Sequence, residues 1–452
     1  INPAFWQHMV SYTVGVGVTG TVDPDTAFKA IANNDKVDWW AGNAAEGKVD
    51  DMLHAAVNGR GGFFSAADPT TFAKELKGTV GDIIAEAGSS TAVEFDVSSF
   101  QVGGLIFSSQ FDPNGWTGDL KAIELGGTKD KPVVPNADDA IAAGDGWSAG
   151  DLLDARDLAT NDRLIITYGA NGATPFSWKK LTASQKADLR FGGVTDTVAE
   201  QRLDFIRGDR SLENTDSFRK RGSRLGSIVN SSPEFVGTPR AIWPDSAPFG
   251  ENGKRFSDFA DSNKNRAPVV YVGSNDGMLH GFSGVKTGGN EVMAYVPQFV
   301  YNSTAANAGL HFLTDPTYQH RYYTDLEIRQ QDIYTKGKKA NGTVDNQSDW
   351  RSVIFGGGRA GAKGIFALDV TDPDPSSFSE ANAKQMVLWE FTGSDDSRLG
   401  HVTQAPIIGM TKWGQNDIRW TAFVSNGYNS TTNTTGLFML DIEGGMDGTW
   451  DT

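Results

Sequence analysis

Between residues 269 and 282 the chain passes from an apolar run (Val269, Val270, Tyr271, Val272) through a polar turn (Gly273, Ser274, Asn275, Asp276, Gly277) into a second apolar run from Met278 to Phe282. The pattern predicts two antiparallel strands and a tight turn, since Asn, Asp and Gly tolerate the positive φ that such turns demand. The plan recurs twice. Residues 351–369 run apolar strand, glycine-rich turn, second strand, and residues 421–441 do the same, both second strands following a glycine (Gly364, Gly436) and closing on Leu-Asp at Asp369 and Asp441. Units starting roughly 70 to 80 residues apart suit four-stranded propeller blades that carry long inserts. The fold expected is therefore mainly β, a propeller over residues 225–452.

Upstream the pattern changes. In residues 8–18, Val10, Tyr12, Val14, Val16 and Val18 share one face of a nearly continuous β run, as in a strand of a parallel sheet. Met52, Leu53, Ala56 and Val57 then fall on one side of a helix over 50–58, followed by a short strand at 62–65. Asp68 is a natural N-cap with Pro69 at the first helical position, and Phe72, Leu76, Val80 and Ile83 recur at helical spacing. Residues 1–90 thus read as half of an α/β domain. Residues 91–180 return to β patterning, with Val93, Phe95 and Val97 alternating, a run over 104–111, a turn at Asp112, Pro113, Asn114 and Gly115, and a strand at 164–168. They form either a linking β region or a first blade. The acidic stretch 129–150 is expected as an exposed loop. Residues 181–224 are a helical connector, basic through Arg202, Arg207, Arg210, Arg219, Lys220, Arg221 and Arg224. Pairing with nearby carboxylates or solvation accounts for these cations; a dedicated acidic partner is the alternative.

Length and charge narrow the function. At 452 residues the chain exceeds one compact core, and a net charge of −16 argues against general affinity for nucleic acid or anionic lipid. With no cysteine there are no disulfides, thiolate metal sites or cysteine nucleophiles. No run is apolar for long enough to span a membrane, and the first residues lack the basic flank and apolar core of a signal peptide. The chain is expected to start after any signal, within a larger protein.

Candidate chemistry is sparse. The six histidines show no metal-binding spacing, and His280, alternating with Leu279 in a strand, reads as a packed or hydrogen-bonded residue. The glycine-rich turn from Gly356 lacks the Lys-Ser/Thr ending and following helix of a phosphate loop. Arg207, Gly208 and Asp209 spell the tripeptide that integrins read in some ligands, although their flanks also suit a helix-ending glycine with salt bridges. The insert 301–323, rich in Tyr, Asn and His, is the expected partner surface, through Tyr301, Tyr318, Tyr322 and Tyr323, because aromatic-polar loops give contact area at low entropic cost. Capping of the propeller core is the competing role for these rings. Replacing Tyr322 and Tyr323 together is expected to weaken binding and leave the fold intact.

Several long segments in fixed order, LGSIVNSSPEFVG from Leu225, RAPVVYVGSNDGMLHGF from Arg266, AYVPQFVY from Ala294, HRYYTDL from His320 and GGGRAGAKGIFALDVTDP from Gly356, resemble the successive signatures of the PilY family of type IV pilus tip-associated adhesins and assembly factors. The upstream segments fit the same family, so the resemblance covers nearly the whole chain and implies that residues 1–90 are the C-terminal part of a von Willebrand factor A-like domain. The Asp-x-Ser-x-Ser adhesion loop of such domains does not occur here. The resemblance implies a non-enzymatic protein at the cell surface or pilus tip, exported through the periplasm and outer membrane of a Gram-negative bacterium. It implies minor pilins and a host or abiotic surface as partners, with pilus assembly, adhesion and twitching motility as outcomes. It also implies calcium in a loop of alternating Asp and Asn, which this chain matches only weakly at Asp261, Asn263 and Asn265, with Lys264 and Arg266 opposing the ion. A family member would continue beyond Thr452 with further blades. The alternative from another class is a quinoprotein dehydrogenase, suggested by Val387, Leu388, Trp389, Glu390 and Phe391, but the cysteine pair usual near that cofactor is missing.

Overall fold

A computed structural model describes residues 11, 13–16, 20–32, 35–39, 45–59, 63–66 and 92–95, and 103–450 apart from 114, 129, 130, 214, 216, 247–252 and 416. The chain divides into two units, Ile1–Ala87 and Gly88–Thr452.

In the first unit, β1 (Thr13–Val16) and β2 (Phe63–Ala66) pair in parallel, Thr13 opposite Phe63. Parallel neighbours need a crossover, and α1 (Pro24–Ala32) and α2 (Ala45–Asn58) lie within it. Leu53, Ala56 and Val57 are buried on one stripe of α2, as their spacing predicts. The described part of the first strand is four residues of the run 8–18, and the helix expected after Asp68 lies outside the described residues.

The second unit is built from four sheets in succession. The first contains β3 (Ala92–Phe95), β4 (Leu105–Asp112) and β5 (Thr117–Glu124), antiparallel in that order. After them, β6 (Gly126–Thr128) and β7 (Lys131–Val133) make a small separate ribbon, and β8 (Gly146–Ser148) returns to pair with β5. The acidic stretch expected as a loop therefore holds two strands, β7 and β8, and it also holds a helix, α3 (Ala137–Ala143). Its cap signals are local: the Asn136 side chain accepts from the N–H groups of Asp138 and Asp139, the two acids sit in the first turn, and Gly144 closes the helix in the left-handed region at φ 83°. A second short helix, α4 (Ala149–Ala155), follows directly.

The second sheet draws strands from both sides of the boundary expected at residue 225. It contains β9 (Ile165–Gly169) and β10 (Gly172–Pro175), then, beyond the connector, β11 (Glu234–Val236), β12 (Val269–Gly273), β13 (Leu279–Ser283) and β14 (Glu291–Val296). Their order is β10-β9-β14-β13-β12-β11, with β9 parallel to β14. Strands from both sides of the connector share one sheet. The connector itself is α5 (Ala183–Leu189), α6 (Asp196–Arg207) and an extended arm, and Leu189, Leu203, Phe205 and Ile206 pack with Ile165, Ala294 and Val296 of that sheet.

The third sheet is β15 (Arg329–Thr335), β16 (Asp349–Gly357), β17 (Gly364–Asp369) and β18 (Val387–Thr392), and the fourth is β19 (Ile407–Lys412), β20 (Ile418–Ser425) and β21 (Leu437–Asp441). Both run in chain order and are antiparallel. Each predicted hairpin, β12-β13, β16-β17 and β20-β21, occupies the second and third places of its own four- or three-strand meander, as equivalent blades require.

Strand alternation explains why these runs are apolar throughout. On β12, Val270 and Val272 pack towards Phe107 and Leu120 of the first sheet, while Val269 and Tyr271 pack towards Ile354 and Phe366 of the third. On β16, Ile354 faces the second sheet, and Val353 and Phe355 join Trp420, Ala422 and Val424 of the fourth. A strand with a sheet on each face has no polar side. The two Leu-Asp endings also have a shared cause. Asp369 accepts from Arg351 Nη1 at 2.7 Å and from the Thr371 N–H, and Asp441 accepts from Arg419 Nη1 at 2.7 Å and from the Glu443 N–H.

Candidate functional site

The β16-β17 turn and the connections between sheets meet at a cleft of about 770 Å3, within the roughly 300–1,000 Å3 usual for ligand sites. Three segments line it: residues 298–302, 307–309 and 320–323 of the insert between β14 and β15, residues 360–363 of the β16-β17 turn, and residues 392–394 with His401 after β18.

The glycine-rich turn reaches the insert because it must come very close. A Cβ on Gly361 would lie 2.2 Å from the Tyr322 carbonyl oxygen, so only glycine lets these two walls touch. The turn is joined to the third segment by the Gly393 N–H on the Lys363 carbonyl at 3.1 Å and by a 2.9 Å hydrogen bond between His401 Nδ1 and the Arg359 carbonyl.

Of the four tyrosines expected to form a contact surface, only Tyr322 is exposed, at 38%. Tyr323 is buried, donates its O–H to the Gly309 carbonyl at 2.9 Å and donates its backbone N–H to Asn275 Oδ1. Tyr301 lines the cleft, but its hydroxyl is hydrogen-bonded to Thr167 at 3.1 Å. Tyr318 lies outside the lining, with the Arg219 guanidinium 4.0 Å above its ring. Three of these rings hold the insert in place. The paired replacement of Tyr322 and Tyr323 is thus no neutral probe of binding, because Tyr323 belongs to the core.

Sequence reasoning missed the cations of the cleft. Arg321 is exposed and Lys363 half-buried, and neither makes an ion pair among the described residues. The lining residues include no Asp or Glu. The two histidines are held neutral: burial and the nearby Arg219 push His320 down to about 4, and burial, with Lys363 opposing protonation, lowers His401. The signal available was the placement of Arg321 and Lys363 inside two of the quoted signature segments.

Behind the β12-β13 turn lies a different charged cluster. Arg163 pairs with Glu291 through two bonds of 2.7 and 2.8 Å, Glu291 accepts from His280 Nδ1 at 2.7 Å, and His280 Nε2 stands 3.1 Å from Asp276. Asp276 in turn accepts from the Gly226 N–H at 2.9 Å. Burial alone would lower the His280 pKa, but Asp276 and Glu291 overcome it and raise it to about 9. For Glu291, burial is likewise overcome, by Arg163 and His280, and its pKa falls to about 2. Two cations and two anions balance in charge, with Arg156 Nη1 in addition 4.0 Å from Glu291. The role of this cluster is to fix the turn, with His280 fully buried inside it.

Residues 225–449 match the family model described as the PilY1 beta-propeller domain. Along its whole length the chain is 34% identical to the type IV pilus biogenesis factor PilY1 of Pseudomonas aeruginosa strain PAK, over 98% of this chain and 36% of that protein. The chain belongs to the PilY family. A PilY1 homolog of Xylella fastidiosa strain Temecula1 is 31% identical over 95% of this chain and 30% of its own length. The chain thus spans about a third of the curated relatives it matches. A crystal structure of the Pseudomonas aeruginosa PilY1 C-terminal domain is 28% identical, covers 46% of this chain and 34% of that one, and has a TM-score of 0.30.

Within this PilY-family chain, the other sequence candidates do not join the cleft. Arg207 ends α6 and spends its guanidinium on the Phe176 carbonyl at 2.8 Å and on Asp162 at 2.8 Å, and Gly208 is the helix cap at φ 118°. Asp209 is exposed but accepts from Ser211 through N–H and O–H. An integrin-type ligand needs both side chains presented from a loop tip, and here the arginine is withdrawn. The calcium candidate fits a cation no better. Asp261 lies on α7 (Phe256–Ser262) with Lys264 Nζ 2.9 Å from its carboxylate, Asn263 turns its amide nitrogen to the Phe259 carbonyl, and Asn265 is exposed. Among the described residues no cluster of three or more His, Asp or Glu could hold a metal ion. The connector arginines are structural staples. Arg221 pairs with Glu213 at 2.7 Å and donates to the Phe205 carbonyl, and Arg224 donates to the carbonyls of Leu153, Asp154 and Gly208. Trp389, which prompted the quinoprotein comparison, packs between the third and fourth sheets and donates to the Ile442 carbonyl at 2.8 Å. No helix among the described residues is long and apolar enough to cross a membrane.

Proposed function

We propose that this chain supports the assembly of type IV pili at the cell surface without catalysing a reaction, acting through protein contacts made by the hairpin-turn end of its sheets. The observation that carries this reading is the match along 98% of the chain to proteins named for pilus biogenesis. The structure supports it in kind: long connections that bear exposed aromatic and polar groups sit on a rigid β scaffold, the usual arrangement for binding specificity. Minor pilins are the partners that fit this role, and adhesion and twitching motility would follow from pilus number. Residues 1–90 are read as the end of a von Willebrand factor A-like module on the strength of their sequence and the parallel pair β1-β2.

The test is removal of the gene in its native host, with surface pilin measured in sheared fractions and twitching zones measured on agar. Loss of both, restored by the gene in trans, is expected. Normal pilin and normal twitching in the deletion strain would overturn the assignment.

A further inference from the structure

The protein carries 56 Asp and Glu against 40 Lys and Arg, yet its cleft reverses that balance. Two cations and no carboxylate line it, and neither cation makes an ion pair among the described residues. Elsewhere in the second unit arginines are consumed by carboxylates or carbonyls, as at Arg163, Arg207, Arg221 and Arg224. Unpaired cations in a concave, carboxylate-free site focus a positive potential on whatever enters it. Tyr322 stands exposed on the same wall as Arg321, and its ring meets His320 edge-on at 5.0 Å. The lining also includes the polar residues Asn307 and Ser394.

We infer that the cleft receives an extended, carboxylate-rich peptide segment of a partner protein, whose acidic side chains pair with Arg321 and Lys363 and whose apolar positions lie against Tyr322. A peptide is favoured over a nucleic acid because the cleft has only two cations, whereas phosphate backbones are held by rows of them. The inference rests on the reading of this chain as a protein that works through protein contacts, and it names the site and the chemistry of the partner.

The test uses the whole 452-residue chain and a fluorescein-labelled twelve-residue peptide of alternating Asp, Glu and Phe, followed by anisotropy. A peptide with Asn and Gln in place of the acids is the control, and an oligothymidylate of matched charge is the competitor. The acidic peptide should bind at low salt and at least about tenfold more tightly than its amide counterpart, and R321E/K363E should weaken it at least about tenfold. Tyr322→Ala should weaken it further in a manner independent of salt. R321Q/K363Q provides the same comparison should the glutamate pair lower the melting temperature. Absence of binding, equal binding of the amide peptide, indifference to the charge changes, or displacement by the oligothymidylate as effective as by unlabelled peptide would each overturn the inference. Those outcomes leave the pilus assignment standing, whereas a deletion strain with normal pili would overturn that assignment and leave the binding result in place.

Discussion

Two charged regions of this protein use the same residue types to opposite ends. Around the β12-β13 turn, Arg163, His280, Glu291 and Asp276 are fully partnered and three of them almost completely buried. At the cleft, Arg321 and Lys363 line the cavity without an ion-pair partner among the described residues. Burying a charge is tolerated only when it is paired and hydrogen-bonded, so the first set can be explained by the fold alone. Nothing in the fold requires the second. Charge that the structure consumes reads as architecture, and charge that it leaves over reads as function.

The largest effect that separates the two regions should come from Arg163→Met. It strips the buried Glu291 of its two-bond guanidinium partner and leaves it only His280 and the more distant Arg156, and stability in urea unfolding should fall by about 3–5 kcal/mol. A loss below about 1 kcal/mol would mean that the cluster is not the anchor described here.

Titration gives the next effect. The His280 pKa is raised in the folded state, so its contribution is complete below about 6.5, declines as pH rises and is gone above about 9. The Glu291 pKa is depressed, so its contribution is present above about 4.5 and is lost as pH falls through about 2. Melting temperature should therefore decline on the alkaline side with a midpoint set by His280, and His280→Gln should flatten that decline. A wild-type profile with no alkaline decline between pH 7 and 9 would contradict the ionised pair.

Tyr323→Phe removes one buried hydrogen bond to the Gly309 carbonyl and should cost about 1 kcal/mol. Tyr322→Ala and Arg321→Gln, on the open side of the same segment, should change stability by no more than about 0.5 kcal/mol. A Tyr322→Ala variant as destabilised as a Tyr323 variant would erase the distinction between a wall of the cleft and the core behind it.

What could be read in the sequence was whatever depends on neighbours along the chain. The β12-β13 hairpin, the Leu-Asp endings at Asp369 and Asp441, and the α/β character of the first unit all follow from local periodicity and turn chemistry. The helix α3 was legible too, through Asn136 and Gly144, but the acidic composition of its segment masked the cap signals. Long-range structure was not legible. Arg163 and Glu291 are 128 residues apart, and no local pattern announces that β9 will add to β14 across an intervening connector. The tyrosines of the insert show the same limit. Their composition suggested a contact surface, whereas burial, which depends on the sheets beneath, leaves Tyr322 exposed and gives Tyr323 to the core. Arg321 and Lys363 stood in plain view, but their lack of partners is a property of the folded chain.

The most direct test of the account returns an allele carrying Arg321→Glu, Lys363→Glu and Tyr322→Ala to the deletion strain and measures surface pilin against the cellular amount of the protein. The account predicts wild-type protein abundance with surface pilin reduced to the level of the deletion strain. Wild-type surface pilin at wild-type abundance would show that the cleft is not where this protein does its work.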